Sequence, residues 1–217
     1  TERVRTLDDV RALLDERQLH HVRVGVFDID GILRGKYMSR EKLLSAVEKG
    51  AFGFCDVVLG WDSADVLYDN VRYTGWHTGY PDAPVRILPE TCRSLPLEGE
   101  GMVLFLGEFG GEAENLCPRA LLRRVLDRAR GMGFEVRAGF EYEFFVFNET
   151  PHSLRSKNFR DLQPLAPGSF GYSMLRSSVE VDLYRDILRT CEEMGLPIEG
   201  LHEEAGPGVL EAALQAS

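Results

Sequence analysis

Residues 139–147 read "GFEYEFFVF". Glu141 and Glu143 stand two apart in a run otherwise made of aromatic residues, one valine and the leading Gly139. Side chains alternate along a strand, so both carboxylates share one face. The apolar residues around them predict a strand buried on both sides. Two carboxylates about 5 Å apart repel by roughly 3 kcal/mol at an effective dielectric of 20, and desolvation adds to that. A shared proton, arginines or a divalent cation would compensate. The alternative is a strand end that emerges into solvent.

A second acidic group lies downstream in "LHEEAGPGVLEAAL", residues 201–214. Alternation places His202 and Glu204 on one face and Glu203 on the other. Pro207-Gly208 turns the chain, and Glu211 follows inside an extended segment of small and apolar residues. A lone glutamate there is more often paired with arginine than used as a ligand. Several buried-looking acids between Glu141 and Glu211 are better explained by hard divalent cations, which take oxygen ligands. Zinc fits less well, because no second histidine stands at ligand spacing.

The segments leading into these strands are similar to each other. Pro118 opens the helix "PRALLRRVLDRARGMG", with Leu121, Leu122, Val125, Leu126, Ala129 and Met132 as its apolar stripe. A second helix is predicted over Val179–Met194. Each ends in Met-Gly and runs directly into an acid-bearing strand. "GGEAENLCP" before Pro118 reads as a linker, which divides the chain into 1–110 and 111–217.

In the first part, Thr6 caps a helix with Asp8 and Asp9 in its first turn and Leu7, Val10, Leu13 and Leu14 as its stripe. A buried strand over 22–29, a turn and a strand around Leu33–Met38 follow. Ser39 then caps a short helix that Gly50 stops. Residues 53–89 read as loops and short strands, and "GMVLFLGEF" as a further strand. The hairpin "VGVFDIDGILRGKY", Val24–Tyr37, also suits an aspartyl-phosphate phosphatase, in which Asp28 would attack phosphorus and Asp30 would handle the proton. Such an enzyme needs a later lysine and acidic pair for Mg²⁺. No Asp-Asp follows position 30, so the reading survives only as a remote alternative.

Composition narrows the classes. The 217 residues carry a formal net charge of −10 with 44% hydrophobic residues, which is ordinary globular composition. No basic face suited to nucleic acid is visible. No run of about 18 apolar residues suggests a membrane span. The sequence begins without Met or a signal-like segment, and its four dispersed cysteines read as reduced thiols in a cytoplasmic protein.

The acid-bearing motifs resemble those of the glutamine synthetase superfamily. "GFEYEFFVF" is similar to its G-x-E-x-E-F strand and "HEEAGPGVLE" to its H-x-E-x-x-P-G-x-x-E segment. "FDIDGILRGKYM" and "YPDAPVRILPET" resemble pieces of its N-terminal domain, in the right order. The resemblance implies an α+β fold: a small β-grasp-like N-terminal domain with a leading helix, then the first part of a catalytic domain with an antiparallel sheet and flanking helices. It implies ATP and two Mg²⁺ or Mn²⁺ ions, one held by Glu143, Glu204 and Glu211 and the other served by Glu141. The implied reaction joins the γ-carboxylate of glutamate to ammonia or an amine through a γ-glutamyl phosphate. Val209, where the family often has Gln, and "GFCDVVLGWDSADVLYDN" point to the glutamate–amine branch, such as γ-glutamylputrescine or polyamine synthetases. Asp62 and Tyr172 are then candidate catalytic residues, and Asp65, His202 and Gly208 candidate substrate-binding residues. The family's active sites form between neighbouring subunits, so a homo-oligomer is implied. Its later histidine ligand and its substrate- and phosphate-binding arginines fall past Ser217. A non-catalytic structural or assembly member of the family is the alternative.

Overall fold

The computed structural model describes residues 4–99 and 101–217. The chain forms two compact units, one ending at Val136 and the other Arg137–Ser217.

The first unit begins with helix α1 (Leu7–Glu16), where Thr6 accepts from the Asp9 N–H and Asp9 accepts in return from the Thr6 N–H. This reciprocal cap satisfies two otherwise orphaned donors. Strand β1 (His21–Phe27) pairs antiparallel with β2 (Leu33–Ser39). Ser39 caps α2 (Arg40–Lys49), and Gly50 ends it in the left-handed region at φ 79°. Strands β3 (Phe52–Cys55), β4 (Asp82–Ser94) and β5 (Val103–Phe109) complete a sheet of order β2-β1-β5-β4-β3. Its β1–β5 pair is parallel and the others antiparallel, which gives the β-grasp-like arrangement. Val22, Val24, Val26, Val85, Phe105 and Phe109 from the sheet pack with Leu14 and Leu43 of the helices as its core.

Residues 53–89 read as loops and short strands, but β4 is a long strand that begins inside that stretch and runs past it to Ser94. Pro84 and Pro89 hide its pattern, because proline cannot donate to a ladder. The register with β5 slips between Leu88 and Arg93. There Thr91 Oγ1 accepts from the Leu106 N–H at 2.9 Å and donates to the Leu88 carbonyl at 2.6 Å, so a side chain bridges the broken ladder.

Helix α3 (Pro118–Gly131) closes the first unit. Arg123 and Arg119 from it, with Arg86, surround the buried Glu108 carboxylate at 2.7, 4.0 and 3.6 Å. That contact joins α3 to β5, and the compact unit accordingly runs beyond the linker expected at 110/111. The expected apolar stripe is not buried: Leu121, Leu122, Val125 and Met132 are exposed, and Ala120 is the helix residue in the core.

In the second unit, β6 (Glu141–Phe145), β7 (Ile198–Glu203) and β8 (Val209–Leu214) form an antiparallel sheet of order β6-β8-β7. Short helix α4 (Pro151–Ser156) stands in the loop after β6, while α5 (Met174–Val179) and α6 (Val181–Glu193) replace the single predicted helix. Burial of β6 on both faces is corrected: Tyr142 and Phe145 are exposed, as is Phe140 just before it. β6 is an edge strand, and no layer among the described residues covers it. The repulsion between Glu141 and Glu143 is therefore softened by water.

Candidate functional site

The second unit's sheet gathers the acids by register. Glu143 lies opposite Glu211, and Glu211 lies opposite His202. Directly opposed residues share a face, so one row carries Glu143, Glu211 and His202 across three strands. Glu204 continues the His202 face past the end of β7. Glu203 points to the other side, as alternation requires, and is buried there. Its carboxyl is pushed up by desolvation, with Arg176 pulling it down and Glu180 adding to the rise.

Gly208 makes the turn possible. Its φ is +72°, and an added Cβ would stand 2.7 Å from the Val146 carbonyl oxygen and 2.9 Å from the Leu165 N–H nitrogen. Its own carbonyl accepts from the Val146 N–H at 2.8 Å. Glycine is needed here both for the conformation and for the close approach of two backbones.

The side chains that converge are His202, Glu204 and Glu211, whose donor atoms all lie within 4.8 Å of one another. His202 Nε2 is 3.0 Å from Glu204 Oε1 and 3.9 Å from Glu211 Oε2. The Tyr172 hydroxyl donates to Glu204 Oε1 at 3.1 Å, and its ring stacks on His202 at 4.5 Å and 14°. The Ala205 N–H donates to Glu204 Oε2 at 2.9 Å. That backbone bond first, then His202 and Tyr172, hold the Glu204 carboxyl below its usual range. Tyr172 itself is raised, chiefly by its bond to Glu204. Tyr172 adopts φ +60° and its N–H donates to the Glu203 carbonyl at 2.9 Å, which fixes it to the end of β7. An imidazole nitrogen and two carboxylates directed at one point suit a divalent cation. Glu141, opposite Ala213, and Glu143 stand outside this group.

Asp62 and Asp65 lie in the first unit. Asp62 Oδ1 accepts from the Ala64 and Val66 N–H groups at 2.8 and 2.9 Å, an aspartate closing its own turn. Asp65 pairs with Arg34 Nη1 at 2.5 Å. Arg34 also donates to Asp28 Oδ2 at 2.7 Å and stacks over Trp61 at 5.0 Å. Arg34 escaped the sequence reading, although its place across the turn from Asp28 was a signal. The same network speaks against Asp28 as a nucleophile. Its carboxylate is 0% exposed and also accepts from the Asp30 and Ile32 N–H groups.

Residues 115–217 match the family description "Glutamine synthetase, catalytic domain". Over 199 residues the chain is 45% identical to type-1 glutamine synthetase 2 of Dictyostelium discoideum, covering 90% of this chain and 38% of that protein.

The chain belongs to the glutamine synthetase superfamily.

Two further relatives carry the names of γ-glutamyl ligases. A glutamate–isopropylamine ligase of a Pseudomonas species is 30% identical over 93% of this chain and 44% of its own length. A gamma-glutamylethanolamide synthetase of Streptomyces coelicolor is 32% identical over 96% of this chain and 46% of its own. The chain thus spans somewhat less than half the length of these relatives. Solved structures share the fold. A GmaS–ADP complex superposes with a TM-score of 0.72 at 15% identity, over 96% of this chain and 44% of that one. Glutamine synthetase of Plasmodium falciparum gives 0.66 at 14% identity, over 97% and 44%. No helix among the described residues is long and apolar enough to cross a membrane.

Proposed function

We propose that this chain is the metal-holding part of an ATP-dependent ligase that joins the γ-carboxylate of glutamate to an amine, with ammonia as the other acceptor, through a γ-glutamyl phosphate. The observation that carries this reading is the convergence of His202, Glu204 and Glu211 within 4.8 Å, on a sheet whose sequence matches the superfamily's catalytic domain. Two Mg²⁺ or Mn²⁺ ions, when bound, offset charge on the transferring phosphoryl group and align the reactants.

The chain's own residues supply the frame. Glu204 and Glu211 direct carboxylates to one point, while Glu143 stands opposite Glu211 and Glu141 serves the site beside the ATP phosphates. Tyr172 holds Glu204 and presents an aromatic face beside a carboxylate, which suits a protonated amine. Gly208 sets the turn that orients Glu211, and His202 completes the glutamate-facing row. Arg34 fixes the Trp61–Leu67 loop, so that Asp62 and Asp65 are presented to the site of a neighbouring subunit in a cytoplasmic homo-oligomer. The glutamate–amine ligases among the relatives support an amine acceptor, and the Dictyostelium enzyme's name supports ammonia.

The test is phosphate release by the intact protein with Mn²⁺ and ATP, with and without glutamate, across ammonium, ethanolamine, isopropylamine and putrescine. Release should require both glutamate and an amine, and Glu211→Gln should lower kcat by about 100-fold. Release without glutamate, or full activity in Glu211→Gln, would overturn the assignment. An absence of turnover with every acceptor would leave the non-catalytic role.

A further inference from the structure

Strands β4 and β5 and helix α3 line a cleft of about 230 Å³ inside the first unit. Arg86, Arg119, Arg123 and Arg130 reach it, against the carboxylates of Glu90, Glu108 and Asp127. Two of the four guanidiniums are already engaged. Arg123 takes Glu108 Oε1 with Nη2 at 2.7 Å and Nε at 3.0 Å, and Arg130 takes Asp127 at 2.7 Å. Arg86 Nη2 and Arg119 Nε stop at 3.6 and 4.0 Å from the Glu108 carboxylate, beyond hydrogen-bond reach. Arg119 Nε is buried and has no acceptor among the described residues. A buried donor on a charged group loses its water and is costly to leave unmade. The cleft is not purely polar, because Leu88, Leu122 and Leu126 also line it. Leu126 and Arg130 border an adjoining hollow of about 220 Å³ that Phe134 and Val136 complete.

We propose that this cleft binds a small organic anion: a carboxylate or phosphate head taken by Arg119 and Arg86, on a short apolar body that lies against Leu122 and Leu126. The planar guanidinium fork matches either kind of head. Arg123 and Arg130 offset the charges of Glu108 and Asp127, so the incoming anion meets the two uncommitted guanidiniums. The room fits a body as well as a head, since a cavity of about 150 Å³ suffices for benzene. A bare oxyanion would leave the leucines unused. Arg86 lies on β4 and Arg119 on α3, so the occupant ties the N-terminal sheet to the first helix of the region that matches the catalytic domain. None of these residues belongs to the acid row of the second unit, and the inference does not depend on the ligase reading.

The experiment is isothermal calorimetry on the intact protein without ATP or Mn²⁺, where the acid row has no cation to attract an anion. The probes are pentanoate, phenyl phosphate and inorganic phosphate. One organic probe should bind with a Kd at least about tenfold below that of inorganic phosphate, and which one does so separates a carboxylate head from a phosphate head. Arg119→Gln and Arg86→Gln should each weaken that probe at least about tenfold. Leu122→Ala should bring it to within about threefold of inorganic phosphate. Arg124→Gln is the control, because that side chain binds the Glu114 carbonyl instead, and it should change nothing. Circular dichroism checks folding; Arg86 is 56% exposed, so its variant carries the test if Arg119→Gln does not fold. No binding at millimolar probe, inorganic phosphate bound as tightly as both organic probes, unchanged affinity in a folded arginine variant, or an equal loss in Arg124→Gln would overturn the proposal.

Discussion

Replacing Asp28 with Asn tests the network that fixes the first unit's hairpin and its neighbouring loop. The Asp28 carboxylate is 0% exposed. One oxygen accepts from the Asp30 and Ile32 N–H groups at 3.0 and 2.8 Å, and the other from Arg34 Nε at 2.7 Å. Asparagine keeps one carbonyl oxygen for the two backbone donors but turns an amide NH₂ toward the guanidinium. A charge-assisted hydrogen bond worth about 1.5–3 kcal/mol is lost. Arg34 is not stranded, because it retains Asp65 at 2.5 Å and the Asp62 carbonyl at 3.3 Å. The cost should therefore fall below the roughly 3–5 kcal/mol of breaking a fully buried pair, at about 2–3 kcal/mol. Arg34→Ala does strand Asp28 and should reach about 3 kcal/mol or more. Trp61 reports both changes, since Arg34 lies 5.0 Å from its ring, whereas Trp76 is 83% exposed and responds little to unfolding. Urea unfolding followed by tryptophan fluorescence gives the two values. A loss under about 0.5 kcal/mol in both variants would refute the argument that buried charge holds this turn.

Three further outcomes follow from the second unit. Gly208→Ala forces an L side chain to φ +72° and into the Val146 and Leu165 backbones; it should cost about 1–3 kcal/mol and weaken Mn²⁺ binding, both checked by thermal melts with and without the ion. Glu149 is held at about 2, well below its usual 4.5, by Lys157 first and then by Ser153 and the Gln163 N–H. Its stabilising contribution is complete above pH 4.5 and is lost as pH falls through about 2. Glu149→Gln should therefore flatten the acid limb of the stability curve in that window, and an unchanged limb would remove Glu149 from the account. Tyr172→Phe keeps the ring on His202 but deletes the hydroxyl on Glu204. It should raise KM for the amine several-fold with a smaller effect on Mn²⁺ affinity, and steady-state kinetics beside a metal titration would separate the two.

Much of the fold was legible because its signals act over a few residues. Thr6 caps α1 as expected, with Asp9 returning the bond, Ser39 begins α2 and Gly50 ends it. The alternation that set His202 and Glu204 on one face and Glu203 on the other holds at β7, and the structure buries the Glu203 side. Where non-local pairing ruled, the reading failed. The stretch that holds the start of β4 read as loops and short strands, yet β4 is long and lies in the sheet interior with Thr91 bridging its slipped register. Apolar content predicted burial for β6, and the apolar stripe of α3 is exposed as well, because burial requires a second surface. Among the described residues none covers them.

The candidate site divides along the same line. The sequence by itself determined that Glu141 and Glu143 share a strand face, that a turn at Pro207-Gly208 precedes Glu211, and that the motifs belong to one superfamily. Those properties depend on spacing along the chain and on backbone geometry. Only the tertiary structure decided that β8 lies between β6 and β7. That order sets Glu211 opposite both Glu143 and His202 and brings His202, rather than Glu143, into the converging group. It also showed that Arg34 reaches both Asp28 and Asp65. Strand order and cross-chain ion pairs arise when distant segments bury surface together, and local propensity carries no record of which segment will be the neighbour.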